Sequence, residues 1–109
     1  MHALLATAIL RQAKVSLWYD PGTRVIEPHA LGYGSDGQIL LRAFQTDGAS
    51  MSGEHIHWKL FRVDRIRTIQ LTDTPFYGPR PGYKMNDKAM TRGIIAQLDL
   101  ARMYKSSAD

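Results

Sequence analysis

Two aromatic and three basic residues lie close together in one short stretch of the chain, at positions 58–66, which reads Trp-Lys-Leu-Phe-Arg-Val-Asp-Arg-Ile. In an extended strand Trp58, Leu60 and Arg62 fall on one face. Asp64 then interrupts the alternation before Arg65. A guanidinium close to aromatic rings at the end of a strand can bind phosphate or carboxylate. The structural alternative is that Asp64 pairs with an arginine and fixes the turn.

Two imidazoles, those of His55 and His57, stand two residues apart, so an extended strand would present both on one face. Such a pair is compatible with binding a divalent metal. A closed zinc site needs four ligands, however, and His2 and His29 are the only other imidazoles in the chain. A surface strand face is therefore the preferred interpretation, and we expect no metal.

Serines and glycines that could take part in catalysis are not accompanied by the neighbouring residues that a catalytic motif requires. Ser50 and Ser52 lie in a loop without a positioned base, and no nucleophile elbow is recognisable. The glycines at 32 and 34 precede a turn and a strand rather than the helix of a phosphate-binding loop. Cysteine is absent, which excludes disulfides, thiolate nucleophiles and cysteine-ligated zinc. We expect neither enzymatic activity nor a cofactor.

Positive charge is concentrated in the second part of the chain. Residues 1–60 carry five Lys and Arg against five Asp and Glu, whereas residues 61–109 carry nine against five. Such an excess favours polyanionic partners. No apolar run is long enough to span a bilayer, and residues 3–10 lack the basic start and the cleavage site of a signal peptide. We therefore expect a cytoplasmic protein that does not enter a membrane.

The elements that must position these residues are short. Residues 3–13 show the apolar spacing of a helix. Alternation and turn signals such as Asp20-Pro21-Gly22-Thr23 predict five strands, at 15–19, 24–31, 38–45, 55–61 and 67–71. Short strands at this spacing, in one domain of 109 residues, predict a mainly β (α+β) fold built as a small five-stranded barrel.

The pattern changes after the fifth strand. Residues 75–83 are rich in Pro, Gly and Tyr. Asn86-Asp87 can cap a helix over 88–104, with Met90, Ile94, Ile95 and Leu98 as its apolar stripe. Gly93 weakens this helix, and a strand beginning at Ile94 is the alternative. The extension is expected to pack on the barrel or on a partner subunit.

Four segments carry a resemblance when they are taken in order. They are Ala8-Ile9 with Val15-Ser16-Leu17-Trp18-Tyr19, Arg24-Val25-Ile26-Glu27-Pro28-His29, the stretch at 58–66, and Thr72-Asp73-Thr74-Pro75-Phe76. Together they resemble the WYL domain, an Sm-like or SH3-like small β-barrel found mainly in bacterial transcriptional regulators. In the third strand the tripeptide that names the family reads Ile39-Leu40-Leu41, so only its final leucine is kept, and Arg42 follows it.

The resemblance implies a barrel domain over residues 1–76, including the N-terminal helix, and an extension over residues 77–109. It implies a ligand-sensing regulatory domain that binds single-stranded nucleic acid or a nucleotide-like anionic effector through an arginine-lined surface. Carried over position by position, the residues that would bind this ligand are Tyr19, Arg24, His29, Arg42, Arg62 and Arg65. Arginine forks suit phosphate oxygens, and Tyr or His can stack on a base.

Partners follow from the same resemblance. Relatives of this kind act in bacterial transcriptional regulation, commonly as dimers, so both a homodimer and a separate DNA-binding partner protein are compatible with the chain. A helix-turn-helix usually precedes the barrel in the family, and none is recognisable in these residues. A hypothesis of another class is a protein-interaction or oligomerisation module, motivated by the apolar residues between Met90 and Met103.

Overall fold

An antiparallel sheet of six strands and one N-terminal helix make up residues 1–100, the part of the chain that the computed structural model describes. Their bounds in chain order are α1 His2–Arg11, β1 Ala13–Tyr19, β2 Gly22–Tyr33, β3 Ile39–Gly48, β4 His57–Arg62, a 3-10 turn Val63–Arg65, β5 Thr68–Pro75 and β6 Ile94–Gln97. The prediction of a mainly β fold with a short N-terminal helix is confirmed.

The long strand β2 organises the sheet. The strand order is β4-β3-β2-β1-β5, and β6 also pairs with β2. The first part of β2 pairs with β1, whereas residues from Ala30 to Gly32 pair with β6. The register of β2 against β3 shifts between Pro28 and Ala30. Pro28 has no backbone N–H to donate to the ladder, which accounts for an irregularity at this point.

Helix α1 covers one face of the sheet and closes the core there. Its residues Leu5, Ala8 and Ile9 are fully buried and contact the apolar side chains of the strands. Gln12 ends the helix in the left-handed conformation, and its carbonyl accepts a hydrogen bond from the Phe76 amide. The Gln12 side chain donates in turn to the Phe76 carbonyl. The end of β5 is thereby fixed to the end of the helix.

Residues 76–93, here called the covering segment, begin with Phe76 packed in the core beside α1 and then cross the sheet on the side that carries Arg42 and Phe44. The guanidinium of Arg80 donates to both carboxylate oxygens of buried Glu27, at 2.7 and 3.0 Å. Met90 packs on Ala30 from the same side. A side chain at Gly32 would begin 2.5 Å from the carbonyl oxygen of Gly93, so the close approach of this segment requires glycine.

The helix predicted over 88–104 is wrong for residues 88–99, and the alternative, a strand beginning at Ile94, is confirmed. Residues 88–93 form turns, and Ile94–Gln97 form strand β6 instead. Leu31 of β2 pairs with Ala96, so main-chain hydrogen bonds to β2 replace those of a helix. Gly93 has a φ of 123°, which helical backbone does not allow. The remainder of the predicted helix, at 101–104, lies outside the described residues.

The fourth strand begins two residues later than predicted. His57 opens β4, whereas His55 precedes it and its imidazole contacts the Gly48 carbonyl at 2.7 Å. The two imidazoles therefore do not share a strand face. Residues 1–100 contain no group of three or more His, Cys, Asp or Glu that can hold a metal ion. Within the same residues, no helix has the length and apolarity that crossing a membrane requires.

Candidate ligand-binding cleft

A cleft of about 450 Å³ lies between the sheet and the covering segment. The sheet contributes Arg42 from β3 and Trp58 from β4. The covering segment contributes the other lining residues, Gly82, Tyr83, Lys84, Met85, Asn86, Asp87 and Lys88. Three cationic side chains and one carboxylate therefore line a cleft that also has an aromatic wall. The cleft favours an anion that carries a flat ring.

The sheet register explains why Arg42 reaches this cleft. Arg42 lies opposite Leu60 and Phe44 lies opposite Trp58, so these four side chains share one face. Neighbouring Leu41 points the other way and is fully buried in the core. The covering segment lies on the face that carries Arg42. The guanidinium is thus placed at the boundary between the sheet and this segment, 29% exposed.

Asp87 fixes the orientation of the Arg42 guanidinium. Nε of Arg42 donates to Oδ2 of Asp87 at 2.7 Å, and Nη2 donates to Oδ1 at 3.3 Å. Burial raises the pKa of Asp87, but the hydrogen bonds from Arg42 and the Ala89 amide outweigh it and hold this pKa below its usual value. Arginine has five N–H donors, of which two are used here, so within residues 1–100 three remain for a ligand.

Trp58 and Tyr83 form the aromatic wall, and each is held by its polar atom. Their rings are stacked with centroids 6.5 Å apart and planes inclined by 22°. The Trp58 indole N–H donates to the Pro81 carbonyl at 3.1 Å, and the Tyr83 hydroxyl donates to the Leu98 carbonyl at 2.6 Å. Burial, followed by the nearby charges of Asp87 and Asp99, raises the pKa of Tyr83 to about 12. Both rings are therefore oriented before a ligand binds.

His29 lies behind this wall and is fully buried. Its ring meets Trp58 edge-on, with centroids 4.7 Å apart, and also contacts Phe76 and Tyr83. Nδ1 is 2.8 Å from the Glu27 carbonyl, so it must carry the proton, and Nε2 accepts the Arg80 amide at 3.1 Å. These bonds require the neutral imidazole. The structure thus places His29, one of the predicted ligand contacts, behind the wall.

The neutral state of His29 predicts a loss of stability in mild acid. Burial holds the pKa of His29 below its usual value. The folded chain binds this proton less readily than the unfolded chain, in which histidine titrates near pH 6.5, so the free energy of unfolding decreases as the pH falls below about 6.5. Urea unfolding at about pH 7.5 and 5.5 measures the decrease, which can reach about 1.4 kcal/mol per pH unit.

The carboxylates act in a different pH range. Glu27 and Asp87, whose pKa values lie below the usual ones, stabilise the fold at neutral pH and lose this contribution only below about pH 4.5.

A His29→Gln variant should show no decrease in the free energy of unfolding between about pH 7.5 and 5.5. A variant at an exposed site, His2→Gln, should show the same decrease as the parent. Equal stability of the parent at both pH values would contradict the assignment.

Arg24 and Tyr19 do not line the cleft, and both make hydrogen bonds that link strands of the sheet. Arg24 is 4% exposed, and its guanidinium donates to the Tyr19 and Asp20 carbonyls and to the Gln45 side chain. The Tyr19 hydroxyl accepts the Arg62 amide at 3.3 Å. These contacts join β1, β2, β3 and the end of β4. Arg24 and Tyr19, two of the predicted ligand contacts, therefore hold strands of the sheet together through hydrogen bonds within the chain.

Arg62 and Arg65 lie beyond the cleft, near the 3-10 turn. Arg62 lies opposite Leu40, on the sheet face that also carries Arg42. Its guanidinium donates to both oxygens of Asp64, at 3.2 and 2.8 Å, and both side chains are largely exposed. Such a surface pair stabilises a protein by about 0–1 kcal/mol. Arg65 is exposed in the turn itself.

Of the six predicted ligand contacts, Arg42 alone lines the cleft among the described residues. Lys84, Asp87 and Lys88 line the cleft without having been predicted as site residues. Their positions depend on residues 76–93 folding back across the sheet, and no local pattern encodes this path. Asn86-Asp87 was the available signal, since Asp87 does cap a turn by accepting the Ala89 amide at 3.0 Å.

Known proteins do not add to this description. No family model, no curated protein and no solved structure matches the chain. The resemblance to WYL domains therefore depends on the motifs quoted above. A function must be inferred from the residues of the cleft.

Proposed function

We propose that the chain is a WYL-like regulatory domain that binds single-stranded nucleic acid or a nucleotide-like anionic effector in the cleft between Arg42 and Trp58. One observation carries the proposal. The Arg42 guanidinium, oriented by Asp87 and left with three donors that no described residue uses, lines the same cleft as the Trp58 indole. A phosphate can accept the free N–H groups while a base stacks on the aromatic wall.

The charge around Arg42 supports an anionic ligand. Lys84 and Lys88 also line the cleft and are exposed, whereas Asp87 contributes the one carboxylate of the lining. Lysine ammonium groups act as mobile point charges that suit phosphate without imposing its orientation. Orientation then comes from the fork of Arg42 and from the aromatic wall. A neutral apolar ligand would leave these cations unused.

The strand arrangement supports the barrel that the WYL resemblance implies. A short 3-10 turn links β4 to β5, the first and last strands in the order β4-β3-β2-β1-β5. The Tyr19 hydroxyl at the end of β1 accepts the amide of Arg62 at the end of β4. Contacts across this distance in the strand order favour a strongly curved sheet. Because the WYL resemblance implies ligand sensing in bacterial transcriptional regulation, we include this role in the proposal.

The oligomerisation alternative has less support. Met90 and Leu98 belong to the apolar residues that motivated it, and each is 4% exposed within the single chain. Both contact apolar residues of the same chain. They therefore present no apolar surface to a partner. Met103 lies outside the described residues.

Binding of single-stranded DNA should depend steeply on salt. Each phosphate neutralised on a single strand contributes about −0.7 to the slope of log affinity against log salt. Three cations line the cleft, so we expect a slope of about −2 or steeper between about 50 and 200 mM salt. Anisotropy of a fluorescein-labelled strand of about ten nucleotides measures it. Affinity that is independent of salt, or equal for a duplex of the same length, would contradict the proposal.

A further inference from the structure

A second pair of an arginine and an aromatic residue lies outside the cleft, where β1 and β5 meet. The Arg67 guanidinium lies over the Trp18 ring, 4.6 Å from its centroid. The Arg67 amide also donates to the Trp18 carbonyl at 3.0 Å. Arg67 is exposed and Trp18 is partly exposed. The proposed binding of an effector at the cleft does not use this pair.

The fold does not need an aromatic ring at this position. Trp18 follows Leu17, whose side chain is buried in the core, so the indole is on the other face of β1. Its cross-strand neighbours are Thr23 and Thr68, and the next outward residue along β1 is Ser16. A large ring among small polar side chains adds nothing to the core. It can stack on a base.

Three arginines lie along the chain between the cleft strand β4 and Thr68, the β5 partner of Trp18. Leu60 lies opposite Arg42, and the chain then passes Arg62 at the end of β4, Arg65 in the 3-10 turn and Arg67 directly before β5. The acidic residue in this stretch, Asp64, is already paired with Arg62. At about 3.3 Å per strand residue and 2.0 Å per 3-10 residue, the path from position 60 to 67 is at most roughly 20 Å.

We propose that the ligand is a single-stranded oligonucleotide and that Trp18 and Arg67 form a second contact for it. One nucleotide unit occupies the cleft at Arg42, and the strand continues along the arginines to stack a base on Trp18. This inference rests on the proposed function of the cleft. It goes further because a free nucleotide would use the cleft alone. Basic side chains hold the phosphates and aromatic rings hold the bases, as single-strand binding requires.

The test compares one nucleotide with a strand on variants of the full chain. Trp18→Leu and Arg67→Gln should each weaken binding of a labelled single-stranded DNA of about ten nucleotides, Trp18→Leu by about tenfold. Neither variant should change the affinity for AMP, measured by calorimetry. Arg11→Gln removes an exposed charge from the end of α1 and is the matched control, with both affinities unchanged. A single-stranded RNA of the same length tests whether the strand is RNA.

The outcomes separate this inference from the function on which it rests. If AMP binds but both variants hold the strand as tightly as the parent does, the second contact is wrong and the cleft proposal stands. If both variants lose AMP and the strand equally, Trp18 and Arg67 act only through the cleft and the inference is overturned. If an acidic peptide removes the contact between the strand and Trp18 while the strand stays bound in the cleft, the site at Trp18 belongs to a protein partner. The inference is then also overturned. If the parent binds neither AMP nor the strand, the cleft proposal itself fails.

Discussion

Replacing Arg42 with methionine should weaken binding of single-stranded DNA by about 10- to 100-fold. Methionine keeps much of the length of the side chain and removes the guanidinium that lines the cleft. Hydrogen bonds to a charged partner contribute about 1.5–3 kcal/mol, and about 1.4 kcal/mol corresponds to a tenfold change in affinity. Arg42→Lys restores the charge without the fork and should recover only part of the loss. Anisotropy titrations at one fixed salt concentration measure both variants.

Two controls separate the role of the guanidinium from the charge that it carries. Arg11→Met removes one exposed positive charge from α1 and should leave the affinity nearly unchanged. In the double variant Arg42→Met with Asp87→Asn, the ion pair disappears while the net charge of the cleft stays the same. We expect the double variant to bind as weakly as Arg42→Met. An equal loss in Arg11→Met would show binding through net charge alone.

Replacing His29 with alanine should lower the free energy of unfolding by about 3 kcal/mol. The substitution removes a fully buried ring that contacts Trp58, Phe76 and Tyr83, and so leaves a cavity. It also removes the acceptor of the Arg80 amide and the donor to the Glu27 carbonyl. Each buried group without a partner costs about 1–3 kcal/mol, which relaxation of the covering segment reduces. Urea unfolding at about pH 7.5 measures the change.

The matched control for His29 is an imidazole that makes no buried contacts. His2 is exposed in the first turn of α1, so His2→Ala should change the free energy of unfolding by less than about 0.5 kcal/mol. His29→Ala should also weaken AMP binding, because the ring behind Trp58 is gone. A His29→Ala variant as stable as the parent would show that His29 does not hold the aromatic wall.

The helix and the first two strands could be predicted because they are encoded by residues close together in the sequence. Alternation gave strands at 15–19 and 24–31, which lie inside β1 and β2, and turn residues separated them. The helix α1 followed from its apolar spacing. Strand β6 was given only as an alternative because Ile94–Gln97 form a strand by pairing with β2, more than sixty residues earlier in the sequence. A four-residue segment has too little periodicity to reveal such a partner.

The surroundings of the predicted site residues depend, for a related reason, on residues that are distant in the sequence. An arginine in a strand can point to solvent, to a cleft or into the interior, and its neighbours in space decide which. Arg24 is satisfied internally by two carbonyls and Gln45, and His29 is enclosed by the covering segment. Arg42 is a predicted ligand contact by resemblance, and its partner Asp87 is 45 residues away in the sequence. Neither spacing nor composition links these two residues.

The most direct test of the cleft is a nuclear magnetic resonance titration of the ¹⁵N-labelled chain with AMP. Trp18 and Trp58 are the two tryptophans of the chain, so two indole N–H signals are expected, and a Trp18→Leu sample assigns them. We predict saturable shifts of the Trp58 indole signal and of the Arg42 and Asp87 amides, with the Trp18 indole unmoved. Shifts that spare Trp58, Arg42 and Asp87, or no saturable shift at all, would contradict the binding of a nucleotide in this cleft.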